Sequence, residues 1–194
     1  LTSTYEQESF GEYHFDYSRA GNPTRDNLEK SIASLENGKG AVAFGSGMAA
    51  ISAIITLLKS GDHIIVSHNV YGGTFRIIDK IYSNFNIEVD WVDTSDINEV
   101  SNSIKKNTKF IFIETPTNPM MQLSDIKLIS EIAHQNGLKL IVDNTFMSPY
   151  FQRPLNLGAD LVMHSSTKYL NGHSDVVGGI VISNDDEILE QLTF

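Results

Sequence analysis

The sequence predicts a three-layer α/β/α domain on a mainly parallel seven-stranded sheet, preceded by an extended N-terminal arm. Seven short apolar runs recur along the chain, and amphipathic segments of helical length separate most of them. The runs are apolar almost throughout and do not alternate with polar residues. Strands alternating with helices build βαβ units and parallel pairing. A sheet covered on both faces keeps its strands apolar on both sides.

Residues 1–25 are aromatic, polar and aperiodic, and read as the arm. Pro23 and the polar Thr24–Asp26 cluster open a helix to about Asn37, with Leu28, Ile32 and Leu35 on one face. Asn37-Gly38-Lys39-Gly40 stops it. Strands are expected at 41–44, 63–67, 87–92, 109–114, 138–143, 160–164 and 179–183. Helices fall near 47–59, 73–84, 95–105 and 123–136, with another beginning near Asp186. Phe75, Ile77, Ile78 and Ile81, at near-helical spacing, are assigned to the core. No repeat, low-complexity tract or linker divides residues 26–194.

The totals exclude several classes. A net charge of −10 argues against a nucleic-acid partner, because phosphate backbones demand clustered Lys and Arg. No apolar run approaches the ~20 residues of a membrane span, and no signal peptide is visible. The chain has no Cys, which removes disulfides and thiolate metal sites and fits the reducing cytoplasm. No metal site is expected. His14, His63, His68 and His134 are scattered, and His164, His173 and Asp175 lack the ligands to complete a tetrahedral set. Leu1 in place of Met points to a natural start further upstream.

Ligands of such sheets sit outside the carboxyl ends of the strands. Residues 44–50, Phe-Gly-Ser-Gly-Met-Ala-Ala, match the dinucleotide turn after a strand. The acid that should end the next strand is missing, since Ser67 and His68 stand there. A nicotinamide-dependent dehydrogenase is therefore a weak alternative, and a tight turn without any ligand is another. The amides of Gly47 and Met48, at a helix N-terminus, suit a single phosphate equally well.

Asp143 ends one strand and Lys168 follows the next, either as a plain ion pair or as functional charges. Ser165, Ser166 and Thr167 precede the lysine, and Tyr71 stands beside Gly72 and Gly73. Pyridoxal phosphate would use all of these. It needs an amine for its aldehyde, a carboxylate for its ring nitrogen and a phosphate cup, and its ring stacks on an aromatic face. Lys168 would supply the amine, activated by desolvation and cationic neighbours. Asp143 would supply the carboxylate and Tyr71 the face. Ser165, Thr167, Gly47 and Met48 would form the cup. Glu114 is read as a structural partner for a neighbouring loop, without a functional role.

The motifs YSRAGNPTRDNLE (17–29), FGSGMAAI (44–51), VYGGTFR (70–76), ETPTNP (114–119), VDNTF (142–146), RPLNLGADLVMHSSTKYLNGH (153–173) and DVVGG (175–179) span nearly the whole chain. In that order they resemble the trans-sulfuration family of fold-type-I pyridoxal phosphate enzymes. The resemblance implies that Lys168 binds the cofactor covalently and shuttles protons. It implies that Asp143 pairs with the ring nitrogen and that Tyr71 also acts at the leaving sulfur. Asn118 would approach the ring hydroxyl, and Tyr17 and Arg19 would reach the phosphate of a neighbouring subunit, in a dimer usually doubled to a tetramer.

The implied activity is C–S lysis or γ-replacement on cystathionine, a homoserine ester, cysteine or methionine. The 17–29 motif and Gly73 are similar to the cystathionine enzymes. Family members also carry a C-terminal domain that binds the substrate carboxylate, so the chain is expected to be the cofactor domain (26–194) and arm of a longer protein. A non-catalytic module completed by a partner chain is the alternative.

Overall fold

The computed structural model describes residues 2–194; Leu1 of the expected arm lies outside the described residues. Residues 2–22 carry two isolated bridges, Thr4 to Tyr17 and Ser9 to Glu12, and no helix. Helix α1 (Pro23–Glu36) then begins, capped by the Asn22 side chain, which accepts from the amides of Thr24 and Arg25. It ends at Asn37, whose φ of 58° turns the chain out of the helix.

The strands are β1 (Gly40–Phe44), β2 (His63–Ser67), β3 (Glu88–Val92), β4 (Thr108–Glu114), β5 (Lys139–Asp143), β6 (Leu161–His164) and β7 (Gly179–Ser183). They form one sheet in the order β1-β7-β6-β5-β4-β2-β3. Strand β7 runs antiparallel to β1 and to β6, and the remaining pairs are parallel. The helices between them are α2 (Gly47–Ile55), α3 (Gly72–Lys80), α4 (Ile97–Asn102), α5 (Ile126–Gln135), the short α6 (Ser148–Phe151) and α7 (Asp186–Thr193). Several are shorter than the sequence suggests. The end of α2 tightens into a turn at Leu57 and Leu58, and residues Tyr82–Phe85 after α3 form a 3-10 turn.

Side chains alternate across the sheet and divide the core in two. Ile64, Val66, Phe112, Ile141, Leu161 and Met163 face α2, α3 and α7. Ile65, Ile111, Ile113, Leu140, Val142 and Val162 face α1 and α5. The same alternation puts Glu114 and Asp143 on the α2 face, side by side as register partners. It sends His164 to the opposite face. Phe112 is fully buried at the centre of the sheet, so Phe112→Ala should cost about 3–5 kcal/mol in urea unfolding at an unchanged m-value.

Two apolar assignments are corrected. Leu28 and Leu35 are 46% and 48% exposed, whereas Ile32 and Ala33 are buried. The helix is turned by two inward glutamates: Glu29 Oε1 accepts from the edge-strand amide of Ala43 at 2.8 Å, and Glu36 is fully buried. In α3, Ile77 and Ile78 join the core, but Phe75 and Ile81 remain about half exposed. Only one side of α3 meets the sheet, and Phe75 lies against Trp91 with ring centroids 5.0 Å apart. Among the described residues, no helix is long and apolar enough to cross a membrane.

Candidate active site

The carboxyl ends of β4, β5 and β6 and the amino ends of α2 and α3 surround a cavity of about 280 Å³. Eight of the ten residues expected from the sequence line it: Gly47, Met48, Tyr71, Asn118, Asp143, Ser165, Thr167 and Lys168. Tyr17 and Arg19 do not. They lie in a separate hollow beside β1, with the Arg19 guanidinium 5.2 Å above the Tyr17 ring.

One wall is the start of α2. The Ser46 side chain caps the helix by accepting from the Ala49 amide at 3.0 Å. The amides of Gly47 and Met48, being the first two of the helix, have no intrahelical acceptor and carry the positive end of its dipole. A Cβ on Gly47 would come within 2.8 Å of the Ser165 Cβ, so only glycine lets the helix approach this closely. Ser165 is held by its own amide, which donates to Thr145 Oγ1 at 2.9 Å. Thr167 is used differently from expectation. Its hydroxyl donates to Gly178 O at 3.2 Å and accepts from the Gly178 amide at 3.0 Å. It therefore secures the start of β7 beside the cavity.

The floor is acidic. Asp143 is 7% exposed, and its Oδ1 accepts from Thr145 N at 3.0 Å and Thr145 Oγ1 at 2.5 Å. One Asp143 oxygen caps a turn, while Oδ2 takes no bond from the described residues. Burial raises its pKa, against the Thr145 bonds and the nearby His164. Lys168 and Asp143 form no ion pair, which removes the plain ion-pair reading. Nor is Lys168 desolvated by this chain. Its side chain stands exposed at the rim and makes no hydrogen bond or ion pair with the described residues.

Tyr71 also lines the cavity, and a Cβ on Gly73 would meet its ring at 2.4 Å. Glu114 emerges beneath it. Burial first, and then the charge of Asp143, push Glu114 up to about 8, against the amide bonds it accepts from Tyr71 and Asn118. A carboxylate raised in the fold favours folding fully below its unfolded pKa, and that gain is lost as pH rises through the folded value. His63, lowered mainly by burial, works oppositely below its ordinary value near 6.5. From about pH 6.5 to 8, above the range of His63, the cofactor-free protein should therefore lose stability as pH rises, with Asp143, also raised by burial, acting in the same sense. Glu114→Gln should make that slope shallower in urea titrations.

Two other readings meet specific obstacles. Ser67 ends β2 with its hydroxyl bonded to Thr94 at 2.7 Å, so no carboxylate waits there for a nicotinamide ribose. His164 faces away from the cavity, where its Nε2 bonds buried Glu36 Oε1 at 2.5 Å. Thr145 and Glu36 were not singled out from the sequence. Thr145, two residues after Asp143, had a readable signal as an Asp-x-Thr turn.

Pyridoxal phosphate fits these groups. The Gly47 cradle and free amides suit its phosphate, and Asp143 is a buried acid lacking a cation. An amine at the rim and an aromatic side complete the set. These are the features of a pyridoxal phosphate site on a fold-type-I sheet.

Comparison with known proteins gives the family. The model of the Cys/Met metabolism PLP-dependent enzyme family matches residues 1–194. A cystathionine γ-lyase of Bacillus subtilis is 52% identical over 193 residues, covering 99% of this chain and 51% of the relative. A cystathionine β-lyase, MetC, of the same organism is 52% identical, covering 98% and 49%. The crystal structure of a cystathionine γ-lyase from Lactobacillus plantarum, complexed with L-serine, superposes with a TM-score of 0.97 at 47% identity, covering 100% and 51%. The chain belongs to the Cys/Met metabolism PLP-dependent enzyme family. It spans about half the length of the curated relatives it matches.

Proposed function

We propose that this chain is the cofactor-binding part of a pyridoxal phosphate-dependent C–S lyase or γ-replacement enzyme acting on sulfur-containing amino acids. The observation that carries the reading is the buried, cation-less Asp143 sharing one cavity with the α2 amides and Lys168. When bound, the cofactor supplies an aldehyde for amines and a protonated ring that draws electrons from the substrate.

The chain's own groups do the rest. Asp143 Oδ2 would keep the ring nitrogen protonated. Gly47 N, Met48 N and the Ser165 hydroxyl would bind the phosphate, with Thr167 behind them. The Tyr71 ring would stack on the cofactor and its hydroxyl would serve as acid or base toward sulfur, while the Asn118 side chain would approach the ring hydroxyl. Lys168 Nζ would be the amine that holds the cofactor and, once the substrate's own amine has displaced it, would move protons between neighbouring substrate carbons.

Tyr17 and Arg19, remote from their own cavity, would serve the phosphate of a second copy, in a dimer doubled to a tetramer. The lack of Cys supports a cytoplasmic setting. The relatives named γ-lyase and β-lyase match equally well, so the bond cleaved is left to experiment. Full-length protein with pyridoxal phosphate should release thiol from cystathionine. Failure to consume cystathionine, a homoserine ester, cysteine or methionine would contradict the reading.

A second reading has one specific observation behind it, the exposure of Lys168 on an open cavity. In it, this segment binds the cofactor but turns over nothing until another segment closes the site. The segment alone would then hold cofactor without thiol release, and the full-length chain would restore it.

A further inference from the structure

Glu114 is the last residue of β4 and is 6% exposed. Its two oxygens go to two different loops. Oε2 accepts from the amide of Tyr71 at 2.7 Å, on the loop entering α3, and Oε1 accepts from the amide of Asn118 at 2.8 Å, on the loop leaving β4. The residues so held are those facing the cavity with an aromatic ring and a carboxamide. The start of α3 has no side-chain cap of its own, and the Glu114 carboxyl lies at that end.

Stability alone does not account for a glutamate here. It is the register partner of Asp143, so two buried carboxylates sit side by side, and no Lys or Arg pairs with either among the described residues. Such a pair is costly. A carboxyl group nevertheless offers one acceptor oxygen to each of two amides on different loops. Glutamine would set its NH₂ against one of them. On the outside, Asn69 Nδ2 donates to Gln122 Oε1 at 2.8 Å, a second tie between the same two loops. Loss of the inner tie therefore loosens the loops without detaching them.

We propose that Glu114 is a positioning residue, which sets the spacing of Tyr71 and Asn118 across the cavity by accepting both their amides with one carboxylate. The assignment rests on the pyridoxal phosphate reading of the cavity. In relation to substrate, Glu114 acts through those two residues and takes no proton from the reacting atoms.

The test uses full-length holoenzyme carrying Glu114→Gln. Hydrogen exchange followed by mass spectrometry should show peptides spanning 68–72 or 115–119 exchanging at least about tenfold faster, with β5 peptides unchanged. The kcat should fall about tenfold at unchanged cofactor content. Glu114→Asp, which keeps the carboxyl group but shortens the reach, is the companion variant if glutamine prevents folding. It should also deprotect one loop. Unchanged exchange in both loops would overturn the proposal, as would a uniform loss of protection reaching β5. If cofactor content itself collapses together with labelling of Lys168 in the wild type, the underlying site reading has failed. Labelling intact with unmoved loops removes the Glu114 role alone.

Discussion

Lys168→Ala should abolish the visible absorption band of full-length protein reconstituted with pyridoxal phosphate. Thiol release should fall by about 10³-fold or more, as expected when a covalent and proton-transferring group is lost. The expected effect is large because no other lysine lines the cavity. The fold should be spared, since Lys168 is exposed and makes no ion pair among the described residues. Lys168→Arg keeps the charge and gives the control. It should be equally inactive, because a guanidinium stays protonated and cannot serve as the amine. A variant retaining the wild-type spectrum would place the cofactor's amine elsewhere.

Asp143→Asn should be the next largest. It preserves volume and one acceptor for Thr145, but removes the charge that keeps a ring nitrogen protonated. Turnover should drop by about 10²–10³-fold, the scale seen when one preorganised electrostatic contact to developing charge is removed. The substitution also relieves the repulsion that raises Glu114. The cofactor-free variant should therefore be no less stable than wild type at pH 8. Loss of turnover with a gain or no change in stability separates a functional charge from a structural cap.

Much of this was legible in the residues because buried parallel strands leave an unambiguous trace. All seven apolar runs are strands, and the carboxyl ends of β4, β5 and β6 hold the cavity. The direction of β7 was not legible. Gly-Ile-Val-Ile-Ser is buried on both faces and looks the same whichever way it runs. The face of α1 misled for a physical reason: Glu29 and Glu36 turn inward to bond an edge amide and a buried His, and hydrophobic spacing carries no record of such bonds.

At the site, seven of the eight lining residues follow from strand ends, a helix start and hydroxyl chemistry, and Asn118 follows from family likeness. Glu114's two amides lie 43 and 4 positions away on different loops, so only the folded backbone brings them to one carboxylate. Thr167 shows the converse, a hydroxyl in the expected place whose partner, Gly178, is set by the start of β7. Tyr17 and Arg19 were likewise legible only through family likeness, since nothing in the chain's own cavity calls for them.

The central claim is that Lys168 is the amine of a pyridoxal phosphate site. Borohydride reduction of reconstituted full-length protein, followed by peptide mass mapping, tests it directly. The cofactor's reduced mass should be found on the peptide containing Ser165-Ser166-Thr167-Lys168, at Lys168, in stoichiometric yield. A label on Lys80, Lys109 or another lysine, or no label at all, would contradict it.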